Sequence, residues 1–332
     1  MRPRNGLAAL VLGLALAAVP IAAVADTPDA ADAPSPEASP EASPEATQPP
    51  PGTRPRALAV PDSTTSGTAI YSRFVEGLAH PDCTDASPRW RAHFAHVPDL
   101  LASGEGEVLP LFGYVVEALR SAHLPTEYAL IPFVESGYRP GARSSSGPAG
   151  LWQFIAVTAR NHDIPIRSGY DGRLSPVEAT RAAVRYLKTL HGMFAGDWRL
   201  AVMAFNAGEY RVFGALRKHG QRPADAEPEA LESLSGITRA YVRKLQALSC
   251  VMVEAGADAR WAEAIERPVP RLVAVDLADG SSGLEAYARR NGLDPAGLRR
   301  LNPAHARGAV PGQPILVPAA AMPGPLAAPV AN

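Results

Sequence analysis

Through most of the middle of the chain, apolar residues recur at helical spacing. In GEVLPLFGYVVEALRSAH, Leu109, Phe112, Val115, Val116 and Leu119 fall on one face, the pattern of a helix with one buried side. Thr126 is a candidate cap for TEYALIPFVES, with Gly137 as its stop. Pro132 inside that segment removes a backbone donor and predicts a kink. Ser175-Pro176-Val177-Glu178 combines a capping box with proline at the first helical position, opening a helix through about Met193. Asp197 is placed to cap DWRLAVMAFNA, Gly208 interrupts it before EYRVFGALRKH, and ITRAYVRKLQALSCVMVEA makes a last long amphipathic helix. No convincing strand run occurs from about 68 to 265, so the expected fold class is mainly α.

The pattern changes after Pro268 and Pro270. Leu272 to Val275 reads as a short strand, Leu284 to Arg290 and Pro295 to Leu301 as two short helices, and Pro314 to Val317 as a second strand. That order predicts a small βααβ module over residues 270–319, with 320–332 as a loose tail.

The ends add a second layer of organisation. Residues 1–25 begin with two arginines, continue as a Leu/Ala-rich run and finish on Ala23-Val24-Ala25, the plan of a secretory signal peptide cut after Ala25. An uncleaved anchor is the alternative, because the apolar run approaches spanning length; only then would the chain associate with a membrane. Residues 26–66, with the repeat SPEASPEASPEAT, have almost no large apolar side chains before Leu58 and read as an extended linker. The folded domain is expected over 67–266. Export to the periplasm or cell envelope would put the chain in an oxidising compartment. There the even pair Cys83 and Cys250 predicts a disulfide between the start of the domain and a late helix, with two separate buried thiols as the alternative.

Composition excludes more than it assigns. The 332 residues are 46% apolar with a net charge of −1, and without a basic patch interleaved with aromatics nucleic acid is not an expected partner. His93 and His96 stand three apart with no HExxH and no cysteine set to match, so no metal is expected. Ser144 to Ser146 lack a Gly-x-Ser-x-Gly elbow and are poor nucleophiles.

One carboxylate stands apart. In VESGYRPGARSSSGPAGLWQF, Glu135 precedes a glycine- and serine-rich run, and no other acidic residue follows before Asp163. It ends an apolar helix, where the dipole disfavours its charge, and burial against Phe133, Val134 and Trp152 would raise its pKa further. A carboxyl protonated near neutral pH suits a general acid for glycosidic cleavage; an ordinary surface glutamate ending a helix is the alternative. Most glycosidases use two carboxylates, whereas substrate-assisted enzymes need one, because the sugar's acetamido group attacks the anomeric carbon.

Glu135-Ser136, Ser144, Gly150-Leu151-Trp152-Gln153 and Ala204-Phe205-Asn206-Ala207-Gly208-Glu209, in that order, resemble the motifs of the lytic transglycosylase family with its goose-type lysozyme fold. EYALIPFVES, YLKTLHGMFAGDW and ITRAYVRK point to its membrane-bound murein transglycosylase D branch, over roughly residues 100–255. The resemblance implies cleavage of the MurNAc-β-1,4-GlcNAc bond of peptidoglycan strands, leaving 1,6-anhydro-MurNAc ends, with no cofactor. It makes Glu135 the acid and then the base, and Ser144, Gln153, Asn206 and Tyr241 substrate-binding residues. Phe205 occupies a position where the family usually has tyrosine, and Tyr210 or Tyr241 is a candidate substitute hydroxyl. Trp152 and Tyr138 are expected to stack on sugar faces, with core packing the competing account for Trp152. Two other readings stay open: a muramidase-type hydrolase in the same pocket, and a catalytically impaired wall-binding protein.

The C-terminal module resembles a degenerate LysM domain through Ala286-Tyr287-Ala288, LRRLNP and PGQPILVP, although the usual Gly-Asp-Thr-Leu opening is absent. The resemblance implies a glycan-binding tether that raises local substrate concentration.

Overall fold

The computed structural model describes residues 63–104, 106–276, 283–306, 308, 310 and 312–321. The expected signal peptide, nearly all of the linker and all but the first two residues of the tail lie outside the described residues.

β1 (Thr64–Ser66) leads into α1 (Gly67–Val75), followed by α2 (Pro88–Phe94), α3 (Val97–Ala102) and α4 (Val108–Ser121). A 3-10 turn, Thr126–Leu130, runs directly into α5 (Ile131–Ser136). After a long loop come α6 (Ala156–Asn161), the two-residue strands β2 (Ile166–Arg167) and β3 (Tyr170–Asp171), and a 3-10 turn at Gly172–Leu174. Then follow α7 (Pro176–Met193), α8 (Trp198–Ala207), α9 (Glu209–Lys218), α10 (Gly236–Ala255) and α11 (Ala259–Ile265). The C-terminal elements are β4 (Pro268–Pro270), β5 (Leu272–Asp276), α12 (Gly283–Arg290), α13 (Pro295–Leu301) and β6 (Pro314–Pro318). The described chain is mainly helical.

The apolar stripe of α4 is buried as the spacing predicts: Leu109, Phe112, Val115, Val116 and Leu119 all lie in the core. α10 packs against α2, α8 and the 3-10 turn before α5, so this twenty-residue helix runs through the centre of the domain. Ser175 and Asp197 cap α7 and α8, their side chains accepting from the backbone N–H of Glu178 and of Arg199 and Leu200 respectively. Cys83, between α1 and α2, is disulfide-bonded to Cys250 of α10, with Cα atoms 5.5 Å apart.

Two local expectations are corrected. TEYALIPFVES is not one kinked helix capped by Thr126. Pro125 is the N-cap of a 3-10 turn, and the buried Thr126 hydroxyl instead donates to Phe74 O at 2.5 Å. Pro132 lies in the first turn of α5, where the missing N–H would be unpaired anyway, so it starts a helix. β2 and β3 also interrupt the helical region, pairing antiparallel with Ile166 opposite Asp171; two residues each are too few for periodicity to register.

β5 and β6 pair antiparallel from Leu272 opposite Pro318 to Asp276 opposite Pro314, and Leu284, Tyr287, Ala288, Leu298, Ile315 and Val317 form a small core beside them. This cluster is not sealed off from the rest. Leu301 and Leu316 belong to the main core, β5 packs on α4 and β6 on α7, and β4 pairs with β1. Among the described residues no helix is long and apolar enough to cross a membrane.

Candidate active site

Glu135 sits in the last turn of α5. The helix stops there because Gly137 takes the left-handed conformation at φ 61° and closes a bond to Pro132 O, a turn that glycine adopts without steric cost. Ser136 ties off the loop that follows: its hydroxyl lies 2.8 Å from Leu151 O and 3.1 Å from Pro132 O. The loop therefore leaves α5 and returns to its last residue.

Glu135 itself is half-buried. Tyr241, reaching across from α10, donates its hydroxyl to Glu135 Oε1 at 2.6 Å. Burial pushes the Glu135 carboxyl above its ordinary value, while the Tyr241 hydrogen bond and the Lys244 ammonium pull it partly back. The net direction is upward, and the carboxyl end of α5 acts in the same sense.

The loop from 137 to 153 is built on left-handed backbone at Gly137, Tyr138, Gly147, Gly150 and Gln153. Gly150 cannot be replaced without rearrangement. Its φ is +82° and a Cβ there would lie 1.6 Å from Arg173 O. Gly150 N donates to Ala142 O at 2.8 Å, and Ala149 bridges to both Arg143 and Phe154. Gln153, at φ 49°, donates Nε2 to Gly150 O at 2.7 Å, which leaves Oε1 for a donor from outside. Ser144 is exposed, its Oγ 2.8 Å from Ser146 Oγ.

Arg173 holds this loop from beneath and was not singled out by the sequence. It is 8% exposed, forks onto Asp171 through Nε and Nη2 at 2.9 Å each, and donates Nη1 to Gly147 O and Phe154 O at 2.9 and 3.1 Å. Burial alone would raise the Asp171 carboxyl, but the Arg173 hydrogen bonds and charge outweigh it and hold the group below its ordinary value. The sequence signal, an Asp and an Arg two apart, is too common to mark such a role. Glu127 was also missed. It is buried and accepts from Ala79 and His80 N–H at 3.1 and 2.8 Å, so it fixes a turn.

α8 brings Phe205 and Asn206 to its last turn. Asn206 is exposed and Phe205 half-buried. The Phe205 ring meets Trp152, Phe154 and Tyr186 at centroid distances of 6.3, 6.0 and 5.8 Å. Tyr210, the other candidate substitute hydroxyl, is 85% exposed; the phenol on Glu135 belongs to Tyr241.

The sugar-stacking expectation for Trp152 and Tyr138 is corrected. Trp152 is 1% exposed and donates Nε1 to Thr180 Oγ1 at 3.1 Å. Tyr138 is 2% exposed, its hydroxyl donating to Ala129 O at 2.9 Å and its ring against Phe133. Both rings are core, and neither offers a face to a ligand. Both arginines of the loop are engaged by the protein: Arg139 Nε donates to Ser136 O at 2.9 Å, and Arg143 pairs with Asp171 at 3.4 Å.

A helical domain that carries one glutamate at a helix end, a glycine-rich loop and a tyrosine from a long crossing helix invites comparison with known glycan-cleaving domains. Over residues 115–227 the chain matches the family model of the Transglycosylase SLT domain. It is homologous to the membrane-bound lytic murein transglycosylase D of Escherichia coli, with 36% identity over 143 residues, 43% of this chain and 31% of that protein. The peptidoglycan transglycosylase gp16 of Escherichia phage T7 is 39% identical over 83 residues, 25% of this chain and 6% of that one. Among solved structures, the lytic transglycosylase Slt of Pseudomonas aeruginosa matches with 24% identity and a TM-score of 0.34, over 46% of this chain and 25% of that one. The chain thus spans under a third of the length of the murein transglycosylase it matches.

Proposed function

We propose that the protein is an exported peptidoglycan lytic transglycosylase, with Glu135 as its single acid/base. The observation that carries this reading is the Tyr241 hydroxyl on a half-buried carboxyl with a raised pKa, 2.6 Å from Oε1. With Oε1 engaged by the phenol, Oε2 is the atom that carries the proton.

Glu135 Oε2 protonates the glycosidic oxygen as the bond to the MurNAc anomeric carbon breaks. The 2-acetamido oxygen attacks that carbon and gives an oxazolinium-like intermediate, so no second protein carboxylate is needed. Glu135, now ionised and stabilised by Tyr241, takes the proton of the MurNAc C6 hydroxyl. The C6 oxygen then displaces the acetamido oxygen and closes the 1,6-anhydro ring. Ser144, Gln153 Oε1 and the exposed Asn206 supply hydrogen bonds to the glycan.

Digestion of purified sacculi, with the products weighed, tests the reading. Anhydro-ended muropeptides are expected. Reducing ends would make the protein a hydrolase in the same pocket, and binding without release would make it a wall-binding protein. Glu135→Gln keeps the shape and removes the proton, and should lower release by about 100-fold or more.

A further inference from the structure

The C-terminal elements do not sit beside the domain as a separate bead. The 3-10 turn Pro303–His305 lies against the underside of the glycine-rich loop. Ala304 is buried in one cluster with Ala149, Tyr170 and Leu174. A Cβ placed on Gly141 would be 3.6 Å from Pro303 Cβ, and the His305 ring meets Tyr170 edge-on at 5.3 Å.

The turn is itself held from two sides. Asn302 is buried, accepts from Leu316 N at 2.7 Å and donates to Leu298 O and Leu316 O. Nδ1 of His305 accepts from Val310 N, and its Nε2 lies 3.2 Å from Pro314 O. Burial pushes this imidazole down, which keeps it neutral and able to accept at one nitrogen while donating from the other. Leu301 and Leu316 then root the turn in the main core, and Arg300 pairs with Glu107 just ahead of α4 at 3.0 Å.

The residue under which this turn lies is the hub of the loop. Ala149 bridges to Arg143, next to Ser144, and to Phe154, next to Gln153. A support at Ala149 therefore sets the spacing of the two arms that face the glycan.

We infer that the C-terminal module is a fixed buttress of the active-site loop, and that Ala304 and His305 are positioning residues for the Ser144 and Gln153 arms. This rests on the transglycosylase reading for the word active-site, but the docking itself does not. A mobile tether would need no buried seam with the loop, no shared core and no ion pair to Glu107.

The separation at Gly141 and Pro303 falls within the Cβ–Cβ range of a disulfide, about 3.5–4.5 Å, and supplies a direct test in the full chain. The double substitution Gly141→Cys with Pro303→Cys should form a second disulfide on air oxidation, read by mass after proteolysis. Turnover of sacculi by the crosslinked protein should match that of Gly141→Cys alone. Failure of the two thiols to pair overturns the inference because the seam is then not held closed, and pairing that abolishes the turnover shown by Gly141→Cys alone overturns it because the module then moves during catalysis. The crosslink is read without any activity, so a chain that releases nothing from sacculi would sink the transglycosylase reading and not the docking. Separately, Ala304→Glu should lower kcat by about tenfold or more at temperatures well below its own melting point, since displacements of order 1 Å can cost about 100-fold. Ala304→Ser should restore it. Full turnover by folded Ala304→Glu would also count against the buttress.

Discussion

Burial and a phenol act in opposite directions on Glu135: burial favours the protonated acid, and the Tyr241 hydrogen bond favours the carboxylate. Tyr241→Phe removes only the second effect. The Glu135 pKa should rise further, so the alkaline limb of the pH–rate profile should move to higher pH. kcat should fall by about tenfold or more, because hydrogen bonds to charged groups contribute about 1.5–3 kcal/mol. An unmoved limb would mean that the phenol does not act on the carboxyl. Phe205→Tyr should do less, staying within about tenfold of the native rate, since it adds at most one neutral hydrogen bond. A larger rise would show that Tyr241 does not replace the phenol missing at Phe205. The same pKa has a sign for stability. A carboxyl raised above its ordinary 4.5 stabilises the fold below that value, and the contribution is lost as pH rises through the folded pKa. Glu135→Gln should therefore melt higher than the native protein at pH 7, as well as losing activity; a lower melting point would count against a strained carboxyl. Glu135 was legible as a lone carboxylate at a helix end. The aromatic assignments failed for a physical reason: a sequence shows that a ring is present, not which way it points. Trp152 and Tyr138 lie in the same glycine-rich stretch as Gln153, yet their rings turn inward to Thr180 and Ala129.

At the scale of elements, the glycine- and serine-rich run after Glu135 was legible as a loop. What held it there was not. Arg173 follows β3 and reaches two carbonyls, Gly147 within the loop and Phe154 just past its end, a relation set by tertiary packing and invisible to any local pattern. Lysine keeps the charge but not the planar fork. Arg173→Lys should therefore lose most of these bonds and about 2 kcal/mol of stability. Its loss of turnover should exceed what that destabilisation explains, because the loop loosens before the domain melts. Hydrogen exchange checks this directly. The amides of residues 147 to 154 should lose protection in the variant while those of α10 keep theirs, and unchanged protection of the loop would show that Arg173 is not its anchor. The split of TEYALIPFVES has the same lesson in smaller form. Thr126 has a capping residue's chemistry, but its hydroxyl donates across the fold to Phe74 O instead of accepting from its own helix, and tertiary context overrides the local signal.

For the whole molecule, the long-range tie that matters most is the Cys83–Cys250 disulfide. It closes a loop of 167 residues, most of the domain, between the segment after α1 and the helix that presents Tyr241. In the chain-entropy account a loop of that length restricts the unfolded chain by about 5 kcal/mol at 25 °C, and removal of native disulfides costs about 2–5 kcal/mol in practice. The folded state depends on the bond far less. α10 is buried along its length through Tyr241, Val242, Leu245, Leu248 and Met252, and the Tyr241 contact to Glu135 lies more than two helical turns from Cys250. Reduction should therefore act on the unfolded chain more than on the site. The melting temperature is expected to drop by about 5–15 °C on reduction, at about 2–4 °C per kcal/mol for a domain of this size. Turnover of sacculi well below the reduced melting point should be nearly unchanged. The Cys83→Ser, Cys250→Ser double variant should melt where the reduced protein melts and no longer respond to reductant. A wild-type melting temperature indifferent to reductant would mean that the bond does not restrain the unfolded chain. Lost turnover at unchanged helicity would mean that the bond, rather than the packing of α10, holds Tyr241 on Glu135.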